Sequence, residues 1–398
     1  MKRFFTLLTI LGCCIFGVEA QNEKKIPDVH KTCNEQIYRR TEIILPQVNG
    51  YNCYKADLHV HTIYSDGDIT PRQRVREAWY DGLDIIAITD HYEGTSGLKK
   101  AAKVAAPQNG GTPYGYKGAK ELGTPPADFN AIHKEAVSAA KHRGFPMLII
   151  KGCEMAREPK EFGHFNCLFL KDINKVYDPD LFVALKNVKK QGGIVIHNHP
   201  SYRRGTTDKS ESHKKLYEQG LIDGVEVANG ENFYPLMVRR CIEEQLTMFG
   251  NTDEHVLTSY RFGTHNCYRT MTLVFAKKLN EKSIKNALLE DRTLVYVCGY
   301  LAGEQQLLSD FLNAAVTCKM VKENAKKGQR TYMLTNMSSI TYRLRRGRTV
   351  YELEPFKSLQ VVIGKNKKTG EYDEPKFRVD NMWHVDFKNP TITLELDK

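Results

Sequence analysis

Along most of the chain, short apolar runs alternate with amphipathic stretches of helical period. Leu83-Asp84-Ile85-Ile86-Ala87-Ile88-Thr89 reads as a buried strand. The stretch before it reads as a helix. Thr70 is a good N-cap, Pro71 suits the first helical position, Val75, Ala78 and Trp79 share one face, and Gly82 ends it. Helix followed by buried strand is one unit of a parallel α/β sheet. The same rhythm predicts helices over Phe129–His142, Asp180–Lys190, Ser212–Gln219, Tyr234–Gln245 and Glu281–Glu290. Strands are predicted around Met147–Ile150, Gly193–Ile196, Gly224–Val227, Met248–Asn251 and Met271–Phe275. From about Met320 the pattern changes to period-two alternation, as in Thr331-Tyr332-Met333-Leu334 and Leu359-Gln360-Val361-Val362-Ile363. That predicts a small C-terminal β-sandwich over residues 319–398. Between Tyr92 and Asp128 lies a Gly-, Pro- and Lys-rich stretch, read as a long loop over whatever His91 belongs to.

The candidate chemistry falls at the ends of the apolar runs. His59 and His61 lie two apart in a strand and so point to one face, as two ligands of one metal ion would. Asp66 and His91 follow. Glu154 comes after Met147–Ile150, His164 opens another apolar run, and His199 follows Gly193–Ile196. Asp253 and His255 end Met248–Asn251 with the same spacing as the first pair. Strand ends on one face carry the chemistry of α/β barrels.

In this order, His59, His61, Asp66, His91, Glu154, His164, His199, Asp253 and His255 resemble the pattern of the PHP (polymerase and histidinol phosphatase) superfamily. The resemblance covers residues 54–275 and extends, through Gly152–Arg157, Gly163–Asn166 and Gly224–Gly230, to a secreted bacterial phosphodiesterase subgroup. It implies a distorted (β/α)7 barrel over residues 53–318, with a C-terminal immunoglobulin-like sandwich. It also implies two or three divalent ions. His59, His61, Glu154 and Asp253 would hold one, and Asp66, His91 and His255 a second; Glu154 would bridge to a third held by His164 and His199. The donors are nitrogen and oxygen only, which suits Zn, Mn or Fe. The implied activity is hydrolysis of a phosphate ester, a diester first, by a metal-bound hydroxide. Glu154, His199 and Asp253 would serve it directly, and Arg157, Arg203 and Arg204 are the nearest candidates to grip the phosphoryl oxygens. A phosphomonoesterase is the alternative, and a non-catalytic envelope- or glycan-binding module the third reading.

His197 shares a face with His199 by alternation and reads as its neighbour. Asp57 and Asp90 read as hydrogen-bonding supports, and Glu226 and Asn229 as residues behind the ligands. His133, His142, His213, His265 and His384 read as surface histidines, and Lys99, Lys100 and Lys103 as a solvated run.

Composition narrows the setting. With 398 residues and 41% hydrophobic positions, the chain can bury a large core, which excludes a wholly disordered protein. A formal net charge of +11 suits a small anionic substrate, with no specific nucleic-acid partner expected. Residues 1–20 read as a signal peptide: Lys2 and Arg3, then apolar Phe4–Val18, then Val18-Glu19-Ala20 as the cleavage site. Lipoprotein anchoring at Cys13 is the competing reading. The mature chain is therefore expected to be exported and not transmembrane, with residues 21–52 as an N-terminal arm. Of 10 cysteines none forms a C-x-x-C pair, which excludes a zinc ribbon. By proximity Cys33 with Cys53 is the favoured pair for a disulfide, and Cys153 and Cys167 read as buried thiols.

Overall fold

The computed structural model describes residues 39–92, 129–157, 163–201, 208–263 and 267–397. The signal-like segment, Cys13, Cys33, the loop after Tyr92, Lys99, Lys100, Lys103, Arg203, Arg204 and His265 lie outside them, as does the side chain of Arg157. Residues 41–398 form one compact unit.

Among the described residues, eleven strands precede the C-terminal region. They are β1 (Asn52–Val60), β2 (Ile85–Ile88), β3 (Leu148–Arg157), β4 (Gly163–Leu168), β5 (Ile194–Asn198), β6 (Gly224–Asn229), β7 (Asn232–Phe233), β8 (Thr247–Asn251), β9 (Met271–Ala276), β10 (Thr293–Val297) and β11 (Tyr300–Ala302). The helices are α1 (Pro71–Tyr80), α2 (Phe129–Arg143), α3 (Leu181–Lys190), α4 (Glu211–Glu218), α5 (Pro235–Glu244), α6 (Thr258–Phe262), α7 (Glu281–Leu289) and α8 (Gln305–Ala315). The expected caps are in place. Thr70 and Gln73 form a capping box on α1, with Pro71 at its start. Asp180 caps α3, and Gly82 and Gly144 follow α1 and α2 at φ +93° and +67°, a conformation that favours glycine.

The strands build a mixed α/β fold around one curled sheet. β1, β2 and β3 pair in parallel, as do β5, β6 and β8. β4 runs antiparallel between β3 and β5, which breaks the simple βα repeat that the periodicity suggests. The curl brings β8 back beside β1 without a regular ladder. Instead, Asn251 Oδ1 accepts from Leu58 N at 2.9 Å, His59 O accepts from Asp253 N at 2.8 Å, and Glu254 O accepts from His61 N at 3.0 Å. This seam carries two of the expected ligands on each side. The core beneath is apolar and closed: Leu58, Ile85, Ala87, Ile196 and Phe249 are all buried.

The C-terminal strands are β12 (Val316–Asn324), β13 (Gln329–Asn336), β14 (Tyr342–Arg346), β15 (Thr349–Leu353), β16 (Ser358–Gly364), β17 (Lys376–Val379), β18 (Met382–Trp383) and β19 (Thr391–Thr393). They form sheets of order β12-β13-β16 and β15-β14-β17-β19, with Tyr332, Leu334, Leu344, Val361 and Phe377 buried in a shared core. β18 leaves this region and pairs in parallel with β11, extending the large sheet. Residues 41–51 are tied in as well. Ile43 and Val48 are buried, and Ile44 exchanges hydrogen bonds with Ser339.

Candidate metal centre

Nine side chains from separate elements meet in one place. β1 delivers His59 and, just past its end, His61, both fully buried. Their Nε2 atoms lie 3.1 Å apart. Asp253 Oδ1 lies 3.1 Å from each of them, and the two oxygens of Glu154 lie 3.4 Å from His59 and 3.3 Å from His61. Three donor atoms, one each from His59, His61 and Asp253, surround a point that an ion with bonds of about 2.0–2.2 Å would fit, and the Glu154 oxygens lie alongside.

The other ligand candidates gather on either side. Asp66 lies 3.4 Å from His91 Nε2 and 3.2 Å from His255 Nε2. His164 Nδ1 lies 3.2 Å from Glu154 Oε1, and His199 Nε2 lies 3.8 Å from the same oxygen and 3.6 Å from Asp253 Oδ2. The two oxygens of Glu154 therefore face different neighbours, Oε1 toward His59, His164 and His199, and Oε2 toward His61 and His91. Two lone-pair-bearing oxygens allow that; one imidazole nitrogen does not.

Buried polar atoms normally find a hydrogen bond. Here Glu154 Oε2 and His91 Nδ1 make none, although they lie 2.9 Å apart. Orphaned donor atoms aimed at one another across a nitrogen- and oxygen-lined gap fit divalent cations.

The field of the centre follows from this crowding. Burial opposes charge on His59 and His91, but neighbouring carboxylates overcome it and hold both imidazoles well above the usual histidine range. Burial likewise opposes charge on Glu154 and Asp253, and the histidines overcome it and hold both carboxyls well below theirs. His199 goes the other way, because burial outweighs the carboxylates and lowers it.

A second layer fixes the ligands. Glu226, fully buried, sets Oε1 2.8 Å from His59 Nδ1, and its Oε2 accepts from His199 N at 2.9 Å. Asn251 and Asn229 also donate to Glu226. His61 Nδ1 lies 3.2 Å from Ser65 Oγ, which donates to Asp90 at 2.6 Å. Asp57 accepts from Thr252 on the strand-end loop. Such partners hold imidazole orientation and tautomer.

Several residues differ from expectation. β5 ends at Asn198, and His199 takes φ +25°, so the chain turns at the ligand and strict alternation fails there. Asn198 donates to Glu154 Oε1 at 2.7 Å. His197 instead stacks on Phe165 and sets Nδ1 2.8 Å from Tyr217 Oη. Asp253 also lies beyond its strand, at φ +54°. His213 is buried rather than a surface residue; Ser210 N donates to its Nδ1 at the start of α4, and its ring lies 4.6 Å from that of His197. The Ser-x-x-His spacing was the available sign of that cap. His133 is half-buried against Ile149 O. Cys153 and Cys167 are buried thiols, and Cys53 is unpaired among the described residues.

The centre opens into a cavity of about 630 Å³. Gly163, His197 and His213 line one side of it, and Asn229, Glu231, Asn232 and Arg261 are also in its wall. Nothing in the sequence reading singled out Arg261. Among the described residues, no helix is long and apolar enough to cross a membrane.

Residues 57–225 match the PHP domain family. No curated protein matches the chain. The crystal structure of a two-domain protein containing a predicted PHP-like metal-dependent phosphoesterase from Bacteroides vulgatus ATCC 8482 is 30% identical, with TM-score 0.76, over 90% of this chain and 99% of that one. An amidohydrolase from Chromobacterium violaceum with bound sulfate is 16% identical, with TM-score 0.34, over 50% of this chain and 87% of that one. The lesion-specific endonuclease of Pyrococcus furiosus is 14% identical, with TM-score 0.35, over 63% and 59%. The last two likenesses are too distant to bear on function.

Proposed function

Because the chain belongs to the PHP superfamily of metal-dependent phosphoesterases, we propose that it is an exported phosphodiesterase acting on a small anionic substrate. The observation that carries this reading is Glu154. One buried carboxylate divides its two oxygens between two sets of histidines, with a hydrogen bond missing at Oε2. His59, His61 and Asp253 would hold one ion with it; Asp66, His91 and His255 a second; His164 and His199 a third. Bound divalent ions would supply positive charge to the phosphoryl group and an acidified water.

The chain's own residues do the rest. The seam between β1 and β8 fixes four ligand side chains on backbone that cannot shift without breaking the hydrogen bonds of Leu58, His59 and His61. Glu226, Asp90 and Asn198 hold the imidazoles and Glu154 in place before substrate arrives, and such preorganisation lowers the reorganisation needed during reaction. What favours a diester over a monoester is room: the cavity of about 630 Å³ can take a second substituent on phosphorus. Export rests on residues 1–20, and the C-terminal sheets are proposed as an immunoglobulin-like accessory.

The test is hydrolysis of bis-p-nitrophenyl phosphate against p-nitrophenyl phosphate, after stripping and reloading with Mn, Fe or Zn. Faster diester cleavage that disappears in His61→Ala supports the reading. Preference for the monoester would replace it with a phosphatase, and no turnover by metal-loaded protein would overturn it. N-terminal sequencing of the secreted chain tests the cleavage after Ala20.

A further inference from the structure

We propose that Arg261 grips the non-bridging oxygens of the substrate's phosphoryl group, anchored for this by Glu254. The inference rests on the phosphoester reading above and adds a substrate contact to it.

Arg261 stands on α6, shortly beyond the loop that carries Asp253 and His255. Among the described residues it is the arginine in the cavity wall. A wall holding Asp66, Glu154, Glu231 and Asp253 repels a phosphate ester unless fixed cations answer it. A guanidinium offers five donors in a fork that matches two phosphoryl oxygens. Arg261 uses little of that capacity. Its Nη1 reaches Thr252 O at 3.4 Å, and its Nε lies 3.6 Å from Glu254 Oε2, both longer than a good hydrogen bond.

Glu254 explains why the side chain stays there. It lies between two ligands in sequence, is fully buried, and neither of its carboxylate oxygens makes a hydrogen bond. Arg261 is the cation within salt-bridge distance of it, and Arg74 and Arg269 act on it from farther off. The attraction to Arg261 holds the guanidinium from its Nε side, with Nη1 against Gly230 and the Thr252 carbonyl and the side chain in the cavity wall. Gly230 makes the space. A Cβ at this position would overlap Arg261 Nη1, and the residue sits at φ +57°. Arg261 Nη1 reaches the carbonyl of Thr252, the residue before Asp253, so the guanidinium lies beside the loop that carries Asp253.

Half-exposed Arg261 can be replaced without opening the core. Metal-loaded wild type, Arg261→Met and Arg261→Lys are compared by bis-p-nitrophenyl phosphate kinetics, by calorimetric binding of inorganic phosphate, and by metal content. Arg261→Met is expected to keep its metals, lose roughly 10- to 100-fold in kcat/KM, and weaken phosphate binding by a similar factor. Arg261→Lys recovers only part, because an ammonium is a point charge without the fork. Added guanidinium ion restores part of the Arg261→Met activity. Phosphate binding within twofold of wild type in Arg261→Met would overturn the proposal. Arg261-dependent phosphate binding by a wild type that cleaves neither ester would remove the hydrolase reading and leave the grip standing.

Discussion

His59 Nδ1 lies 2.8 Å from Glu226 Oε1, in a place no solvent reaches. The contact turns Nε2 of the same ring toward Asp253, Glu154 and His61. Glu226 also receives the backbone of His199 and the amides of Asn229 and Asn251, so one carboxylate ties the His59 ring to the His199 backbone and to β6 and β8. Glu226→Gln keeps the shape and removes the charge. Metal affinity should fall roughly 10- to 100-fold, as for other carboxylate–histidine partners. Competition with a chelator of known affinity reads this directly, and an unchanged affinity would mean that Glu226 is only packing.

Glu154→Gln leaves one oxygen where two were shared. Fewer equivalents of metal should remain after dialysis, and turnover should fall on the order of 100-fold or more, since loss of several kcal/mol of charge stabilisation is at stake. Metal analysis beside kinetics checks both. Full metal content with normal activity would remove Glu154 as the shared ligand.

The stripped protein should show a distinctive pH profile. Carboxylates raise His59, His91 and His255 against the effect of burial. Groups raised on folding stabilise fully below their unfolded pKa of about 6.5 and lose that contribution as pH rises through the folded value. Histidines lower Glu154, Asp253 and Asp66 against burial, so those contributions exist above about pH 4 and are lost as pH falls through the folded values. Metal-free Tm should therefore decline from about pH 6.5 upward, while metal affinity improves over the same range as the ligands' protons are displaced. Scanning calorimetry from pH 5 to 9 with and without metal tests this (about the span of these pKa values); a metal-free Tm that rises across the alkaline half contradicts it.

Asp57 and Arg269 form a buried pair at 2.6 Å, and Asp57 also accepts from Thr252. Removing one partner leaves a buried charge alone, which typically costs about 3–5 kcal/mol. Arg269→Met should lose that much in urea unfolding. Because Thr252 precedes Asp253, its metal affinity should weaken as well. A loss under 1 kcal/mol (about the worth of a surface pair) would show that the pair is solvated.

The ligand candidates were legible because metal chemistry restricts residue type, and strand period restricts spacing. His59 and His61 follow from alternation within β1 and its immediate exit. His197 lines the same cavity as His199, but the positive φ at His199 ends the alternation between them, and period alone carries no sign of such a turn. The sequence likewise carries no sign of the Asn198 contact with Glu154. His213 looked like a surface residue because one polar side chain on a helix says nothing about what packs over it. Arg261 lies shortly after the last ligand, and only the path of α6 returns it to the cavity.

What the sequence determined by itself is local: element type, caps, and the order of ligand-bearing strand ends. Each follows from short-range periodicity, backbone propensity and coordination chemistry. Only the tertiary structure decided that β4 runs antiparallel, that β8 returns beside β1 to close the seam, that Glu226 stands behind His59, and that Arg261 lies in the cavity wall. Those are relations between residues far apart in the chain. They are set by packing of whole elements and by pairing of buried charge, and no local pattern encodes either.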